Sequence, residues 1–244
     1  MKLFIGSIVY RSVEVPHHVS MIKLHQLCYE RGIEIEDGVV RGDALIERSR
    51  SLAASHFLRS DCDVMLSIDS DIRFSAEAAV KLCEEAMEKD IVGGMYVTRS
   101  IRPQPALMLK DELPTTFASN ASLVEVQYLS TGFIATTKAP FEALRKTLPL
   151  CHKTWEKDSF WPFYVPYVVK WPDDGHILLS EDWAFCQRVK DAGFKLWLDP
   201  SIRLAHHGDY DFMLEDIIRP ARKPPTPLRI TRHAAGRIET EVLV

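Results

Sequence analysis

The chain has 244 residues, 46% of them hydrophobic and 26% charged, a composition that fits one α/β core better than several small domains. Its net charge is −4, and because segment 219–244 holds six Lys/Arg against two Glu, residues 1–218 are close to −8, which argues against nucleic acid as a partner. No stretch approaches the roughly 20 consecutive apolar residues of a membrane span, so we expect no transmembrane helix.

The first part of the chain is predicted to alternate between strands and helices. Its opening apolar run stops at Arg11 with no small-residue cleavage site after it, which indicates a strand and not a signal peptide. The predicted elements are a strand at 2–9, a helix at 19–31 ended by Gly32, a helix that begins at the N-cap Asp43, a strand at 63–68, a helix at 75–89 capped by Ser75, and a strand at 91–97. This alternation favours a mostly parallel sheet.

The second part is less regular. Its predicted elements are strands at 123–129 and 133–135, a helix at 140–146, a helix from the N-cap Ser180 to Ala192 ended by Gly193, and strands at 196–198 and 202–205. The aromatic segment 155–171 is predicted either to cover a binding site or to form a satellite core. We predict one domain over 1–218, followed by a basic, Pro-rich tail at 219–244 that is extended or loosely attached.

The cysteines indicate the compartment. All five lie at scattered spacings with no Cys-x-x-Cys pair, at Cys28, Cys62, Cys83, Cys151 and Cys186. This pattern is typical of structural thiols in a reducing environment, and we therefore predict a cytoplasmic protein.

The run "DVMLSIDSDIRF" ends a strand that reads as buried with two carboxylates one residue apart. Asp69 and Asp71 repel each other unless a cation lies beside them, and parallel sheets present ligands at the carboxyl ends of their strands. A divalent cation with open positions for phosphate oxygens, Mg²⁺ or Mn²⁺, satisfies both conditions. The alternative is a turn in which the two aspartates cap the following helix.

Together with "RSRSLAASHFL" upstream, this run resembles the metal-binding region of GT-A fold glycosyltransferases, in which a D-x-D turn holds a divalent metal against the diphosphate of a nucleotide-sugar. The resemblance implies a GT-A-like (Rossmann-like) α/β fold, with a mostly parallel central sheet flanked by helices. It implies that Asp71 coordinates the metal directly, and that Asp69 helps with the ribose, the sugar or the metal, with Ser70 between them at the donor. Residues 1–98 are then the nucleotide-binding half and 99–218 the acceptor half.

Further residues belong to the donor side in this resemblance. Arg50 stands where relatives place an arginine that faces the nucleotide-sugar, although Ser51 follows it in place of the Asn that is frequent in relatives. Arg99, in "GGMYVTRSIRP", stands where a basic residue often faces a phosphate or the acceptor. The base and ribose are predicted to bind near Ser7 and Val9.

The stretch "LLSEDWAFCQRVKDAGFKLWLDP" resembles the acidic pair that opens a Gly-ended helix in these enzymes. One carboxylate of that pair is the base that deprotonates the acceptor hydroxyl, which here implies Asp182 or Glu181. The helix dipole favours an ionised carboxylate in the first turn. The alternative is ordinary acidic charge at the start of a helix.

Two further stretches complete the resemblance. "RLAHHGD" resembles the late H-x-G element that supplies another metal ligand, here His206 with His207 as the adjacent alternative, and an imidazole ligand favours Mn²⁺ over Mg²⁺. "YLSTGFIATTKAPFEAL" resembles the T-G-F element that lines the acceptor side, here Thr131, Gly132 and Phe133. Glycine permits a close backbone approach there, while a β-bulge is the alternative.

The sequence therefore predicts a metal-dependent glycosyltransferase, a hexosyltransferase, that transfers a sugar from a nucleotide-diphosphate sugar to a saccharide or other hydroxyl acceptor. Mn²⁺ or Mg²⁺ is the predicted cofactor, held by Asp69, Asp71 and His206. One alternative is a phosphatase of the haloacid dehalogenase type, which also ends a strand in D-x-D. Those phosphatases have an acidic motif later in the chain, and Asp173 and Asp174 could imitate it. The other is a nucleotide-sugar binding protein without catalysis.

Overall fold

The computed structural model describes residues 1–100, 102–111, 114–153, 158–171, 175–208, 211–218, 227–234 and 236–243. Some of the predicted features lie outside these ranges: Trp155, the pair Asp173 and Asp174, and residues 219–226 of the tail. None of the helices in the described ranges combines the length and the hydropathy that a membrane crossing needs.

The first half of the chain contains the elements β1 (Lys2–Val9), α1 (Val15–Arg31), β2 (Glu34–Arg41), α2 (Ile46–Arg59), β3 (Val64–Asp69), β4 (Ile72–Arg73), α3 (Ala76–Lys89), β5 (Ile91–Gly93), β6 (Thr115–Phe117) and β7 (Val124–Glu125). The second half contains β8 (Phe133–Thr137), α4 (Lys138–Leu144), β9 (Cys151–His152), β10 (Ser159–Phe160), β11 (Tyr167–Lys170), β12 (His176–Leu179), α5 (Glu181–Asp191), β13 (Trp197–Leu198), β14 (Ala205–His207), β15 (Asp211–Met213), a 3-10 helix (Leu214–Ile218), β16 (Leu228–Arg232) and β17 (Ile238–Val242).

A central sheet holds seven of the described strands in the order β2-β1-β3-β8-β5-β13-β7. β1 pairs in parallel with β2 and β3, and β5 pairs in parallel with β13. β8 runs antiparallel to both β3 and β5, and β7 runs antiparallel to β13. Five of the seven strands therefore share one direction, and the prediction of a mostly parallel α/β sheet is confirmed.

Helices cover both faces of this sheet because each face presents a separate apolar surface. On one face, α1 and α3 pack through residues such as Leu24, Cys28, Ala79, Val80 and Leu82. On the other face, α2, α4 and α5 pack through residues such as Ala54, Phe57, Phe141, Leu144 and Phe185. The centres of β1 and β3 lie between the two layers and are buried, which explains why both read as continuous apolar runs.

A three-stranded sheet at the edge of the core connects distant parts of the chain. β14 pairs with β15 and with β4, and this pairing sets His206 opposite Ile72. In addition, the backbone N–H of His207 donates to the carbonyl oxygen of Asp71 at 2.8 Å. The D-S-D turn and the late histidines are thus neighbours through backbone pairing.

Helix ends differ modestly from the predictions. α1 begins at Val15, four residues before the predicted start, because Pro16 fits the first turn of a helix. α2 begins at Ile46 because the carboxyl of Asp43, the predicted cap, accepts a hydrogen bond from the N–H of Leu45 in a preceding turn. Ser75 caps α3 as predicted, with its hydroxyl oxygen accepting from the N–H of Ala78.

Two predicted segments are more firmly packed than expected. Within the described part of the aromatic segment, Phe163 and Tyr164 are buried and stack near Phe141 and Phe185, so these rings belong to the core and do not form a cover. In the described part of the tail, β16 pairs with β6 and β17, so this part is extended, which is one of the two predicted states, and it is attached to the fold by strand pairing. The division of the chain into 1–98, 99–218 and 219–244 stays a prediction.

Candidate functional site

A cleft of about 630 Å³ opens beyond the carboxyl ends of β1 and β3 and beside the first turn of α5. This position agrees with the rule that open parallel sheets bind ligands at the carboxyl ends of their strands. The cleft is lined by these residues from the sequence prediction: Arg50, Asp69, Ser70, Asp71, Arg99, Glu181, Asp182 and His206. The fold therefore brings together side chains from four separate sequence motifs.

Arg50 organises the acids on one side of the cleft. Its guanidinium donates to both carboxylate oxygens of Asp69, with distances of 2.8 and 3.0 Å. Its Nε lies 3.7 Å from Asp182 Oδ1 and 3.9 Å from Glu181 Oε1, without a hydrogen-bond partner among the described residues. Burial alone would lower the pKa of Arg50, but Asp69 and Asp182 raise it well above its usual range. Arg50 is therefore a permanent positive charge next to the carboxyl groups of Asp69, Glu181 and Asp182.

Asp71 lies on the other side of the cleft, against His206. Asp71 Oδ2 is 3.4 Å from His206 Nε2 and 2.9 Å from Arg99 Nη1. Although burial opposes ionisation, His206 and Arg99 lower the pKa of Asp71, so this carboxyl is ionised at neutral pH. His207 turns away, with its Nδ1 2.7 Å from Asp211 Oδ1. Of the two candidate histidines, His206 is therefore the one that faces Asp71.

The donor atoms of Asp71 and His206 suit a divalent cation. His206 Nδ1 lies 2.9 Å from the carbonyl oxygen of Val97. A carbonyl can only accept a hydrogen bond, so Nδ1 carries the proton, and the Nε2 of a neutral ring presents its lone pair to a metal. A carboxylate oxygen next to an imidazole nitrogen is a donor set that Mn²⁺ accepts.

Asp69 does not join this pair in the structure, because both of its oxygens are bonded to Arg50. Within the described residues, ligand atoms of three His, Cys, Asp or Glu side chains come within 4.8 Å of one another only at Glu36, Asp61 and Cys62, away from the cleft. Asp71 and His206 would therefore hold a cation with two protein ligands and leave its other positions to substrate or water. Direct metal binding by Asp69 stays a prediction.

The acidic pair occupies the first turn of α5. The hydroxyl of Thr131 donates a hydrogen bond to Asp182 Oδ1. Burial raises the pKa of Asp182, while Arg50 and Thr131 act in the opposite direction. Burial and then the charge of Asp182 raise the pKa of Glu181. Carboxyls with raised pKa values are better proton acceptors than exposed ones, which suits a general base.

Gly132 is required by a close approach. A Cβ atom at this position would lie 2.4 Å from Tyr96 Oη and 2.6 Å from Asp69 Oδ2. The carbonyl oxygen of Gly132 also accepts the N–H of Asp69 at 2.9 Å. The predicted glycine therefore lets the backbone pack against Asp69, at the start of the D-S-D turn. Phe133, predicted on the acceptor side, packs in the core instead, with its ring 5.2 Å from that of Phe74.

The predicted base-binding residues Ser7 and Val9 are buried and do not line the cleft. Their neighbours Ile8 and Tyr10 line it instead, because successive side chains of a strand point to opposite faces. The alternation was visible in the sequence, but the face that meets the cleft was not. Tyr10 is 54% exposed, so its ring is accessible.

Tyr96 is a further cleft residue that the sequence did not predict. Its ring packs edge-on against His206 with centroids 5.1 Å apart, and it is almost completely buried. Burial, with the charges of Asp69 and Asp182, raises the pKa of Tyr96 well above its usual range, so its hydroxyl stays neutral. It lies in "GGMYVTRS", which offers no periodic or charged pattern that marks a site.

The fold is of the GT-A-like α/β type that the D-x-D resemblance implies. The chain is similar to A197 from STIV, with 16% identity and a TM-score of 0.51 over 92% of this chain and 99% of that one. Neither a protein-family model nor a curated protein sequence matches the chain.

Two further solved structures are similar at lower scores. TarS 1–349 from S. aureus has 13% identity and a TM-score of 0.45 over 82% of this chain, and GalNAc-T7, solved with UDP, GalNAc and Mn²⁺, has 12% identity and a TM-score of 0.43 over 84%. The chain spans only 58% and 42% of those two structures, respectively.

Proposed function

We propose that the protein is a metal-dependent glycosyltransferase that moves a sugar from a nucleotide-diphosphate donor to a hydroxyl acceptor. One observation carries the proposal. A single cleft holds the Asp71 and His206 pair, which suits a divalent cation, and a separate, partly buried carboxylate, Asp182, whose pKa is raised. An electrophilic site next to a general base is what sugar transfer to a hydroxyl group requires.

The cleft has room and suitable surfaces for the donor. Its volume of about 630 Å³ lies within the range of small-molecule sites, roughly 300–1,000 Å³. Ile8 and Tyr10 form a partly apolar end, where the exposed ring of Tyr10 offers a face for stacking a nucleotide base. The diphosphate then lies toward Asp71 and His206, where Ser70 and Arg99 are also present.

Asp71 and His206 are the proposed ligands of Mn²⁺ or Mg²⁺. When bound, the cation supplies a positive charge that stabilises the leaving nucleotide diphosphate. Val97 holds His206 in the tautomer that ligation needs, through the Nδ1 contact of 2.9 Å. The pair of Arg50 and Asp69 fixes the preceding strand end, so the D-S-D turn is positioned before the donor arrives.

Asp182 is the proposed base. In the transfer step the acceptor oxygen forms a bond to the anomeric carbon, the bond from that carbon to the diphosphate breaks, and the acceptor proton passes to Asp182. Thr131 and Arg50 orient the carboxylate and favour its ionised form before the reaction. Glu181 is the alternative base, since it lines the same cleft from the same turn.

The hydrogen bonds of Asp69 argue against the phosphatase hypothesis. In that class the first Asp of D-x-D attacks the phosphate as a nucleophile. Here both oxygens of Asp69 accept hydrogen bonds from a buried guanidinium, which draws electron density from the carboxylate and makes it a weaker nucleophile. The other alternative, a nucleotide-sugar binding protein without catalysis, can be distinguished from an enzyme only by measuring turnover.

The test is binding and turnover with defined ligands. The protein is titrated with nucleotide-sugars in the presence and absence of Mn²⁺ by calorimetry, and a panel of phosphomonoesters is assayed in parallel. We expect Mn²⁺-dependent binding of at least one nucleotide-sugar, lost in Asp71→Ala and kept in Asp37→Ala, a control on the exposed edge strand β2. Release of phosphate from the monoesters, or equal binding in the two variants, would contradict the proposal.

A further inference from the structure

Two groups converge on one oxygen of the proposed metal ligand. Arg99 Nη1 lies 2.9 Å from Asp71 Oδ2, and His206 Nε2 lies 3.4 Å from that same oxygen. The guanidinium therefore contacts the same oxygen that would ligate a cation shared with His206. Arg99 and a divalent cation are both positive, so they also repel each other at this distance.

His206 presents one ring nitrogen to the same carboxylate. Because Nδ1 donates to the carbonyl of Val97, Nε2 is the nitrogen that faces Asp71, at 3.4 Å from Oδ2. The Asp71 carboxylate is half-buried, and Arg99 is the permanent positive charge beside it.

The position of Arg99 is held from the protein side but open to solvent. In addition to the ion pair with Asp71, Arg99 Nη1 donates a hydrogen bond to the carbonyl oxygen of His207 at 3.0 Å. A Cβ atom at Gly208 would lie 3.0 Å from Arg99 Cδ, so the glycine leaves room for the arginine stem. Nevertheless, 45% of the Arg99 side chain is exposed. It can leave Asp71 without disturbing the core.

We infer that Arg99 is an internal counter-cation of Asp71, which a divalent cation displaces and which then becomes available to the donor diphosphate. This inference rests on the proposed function, since it assigns a role toward the same metal and donor. While Arg99 is on Asp71, cation binding is weakened by the fraction of molecules in that state. Once released, its planar guanidinium is suited to phosphate oxygens.

The two roles of Arg99 predict opposite changes in affinity when the side chain is removed, so binding measurements can test both without turnover. In Arg99→Ala, Mn²⁺ alone should bind more tightly than to the wild type, by roughly two- to five-fold, the range expected for loss of a partly exposed ion pair. A nucleoside diphosphate at saturating Mn²⁺ should bind more weakly to the same variant. Both affinities are measured by calorimetry, and Arg99→Met, which keeps the apolar stem, should behave in the same way.

Arg73→Ala is the matched control. Arg73 pairs with Asp211 at 3.0 Å, and 44% of its side chain is exposed, compared with 45% for Arg99. It lies two residues after Asp71 but does not contact that carboxylate, so the variant should keep both affinities. A general effect of lost surface charge would appear in Arg73→Ala as well.

The possible failures are distinguishable. Mn²⁺ binding to Arg99→Ala that equals the wild type or is weaker overturns the counter-cation role, while loss of Mn²⁺ binding in Asp71→Ala would leave the proposed metal site standing. Equal Mn²⁺ binding by the wild type and Asp71→Ala places the metal elsewhere and overturns both. An unchanged diphosphate affinity in Arg99→Ala rejects the transfer of Arg99 to the donor.

Discussion

At the scale of single residues, the two aspartates of the D-S-D turn have different partners. Asp71 faces His206, whereas Asp69 is bound by Arg50. A guanidinium that donates to both oxygens of one carboxylate holds it in a fixed geometry, so Asp69 is fixed at the end of β3. The two carboxylates are therefore held by separate parts of the chain although they are one residue apart.

Replacement of the proposed base should separate binding from chemistry. In Asp182→Asn the amide keeps the shape of the side chain but cannot take a proton, so the donor affinity should stay near that of the wild type while transfer falls by about 10²- to 10⁴-fold. Donor affinity is measured by calorimetry and transfer by product formation. Glu181→Gln is the matched variant: if it shows the larger loss, the base is Glu181, and normal turnover in both rejects the pair.

Gly132 gives a prediction of steric origin. In Gly132→Ala the new methyl group would overlap Tyr96 Oη and Asp69 Oδ2 at 2.4 and 2.6 Å, so the pair of Arg50 and Asp69 must shift. We expect a loss of about 1–3 kcal/mol in the free energy of unfolding, together with weaker donor binding. Urea denaturation and calorimetry measure the two effects.

Gly175→Ala is the control for this substitution. Among the residues that the structure describes, none has an atom within 4 Å of a Cβ at that position, so the variant should be as stable as the wild type. Equal stability of Gly132→Ala and the wild type would mean that the close approach is not a constraint.

At the scale of elements, α3 contains an acid whose ionisation opposes folding. Burial, followed by the charge of Asp199, raises the pKa of Glu85 to about 7 from its usual 4.5, although Lys81 acts in the opposite direction. One carboxylate oxygen of Glu85 is buried with no hydrogen-bond partner in the described residues. Between these two pH values the folded chain retains a proton that the unfolded chain has released.

The free energy of unfolding should therefore decrease as pH rises from about 4.5 to about 7. In Glu85→Gln this decrease should shrink by about 1–3 kcal/mol, since the amide does not ionise. Urea denaturation at pH 5 and pH 8 gives the difference. Glu84→Gln, exposed on the same helix, should keep the pH dependence of the wild type. A Glu85→Gln variant with an unaltered pH dependence would rule this coupling out.

The elements also show what local sequence can predict. β1 and β3 are buried on both faces, so their apolar runs are unambiguous. β2 is the edge strand, and its sequence "EIEDGVVR" has charges on half of its positions, so no periodic pattern marks it. Similarly, the acids that follow an apolar strand or open a helix could be predicted, whereas Tyr96 reaches the cleft only through tertiary packing.

At the scale of the whole molecule, the features that sequence reasoning missed are pairings between distant segments. The Pro-rich stretch before Leu228 obscured the alternation of Leu228 and Ile230, whose side chains are completely buried. β16 is packed in the core through its pairing with β6, which lies more than 100 residues earlier in the chain. No local pattern encodes that partner, so composition alone left open whether the tail is extended or loosely attached.

This attachment can be measured by truncating one side chain. Ile230→Ala should lower the free energy of unfolding by about 2–4 kcal/mol, because a fully buried side chain is replaced by a cavity. Ile238→Ala, on the neighbouring strand β17 and 38% exposed, should cost much less. Equal stability of the two variants in urea denaturation would mean that the C-terminal hairpin does not contribute to the core.

The pairing of β4 with β14 has a wider consequence. Asp71 and His206 are more than 100 residues apart in the chain, yet backbone hydrogen bonds register them against each other. The proposed cation site would therefore be complete only after β14 has paired with β4. Recovery of Mn²⁺ binding during refolding would then report when these two strands pair.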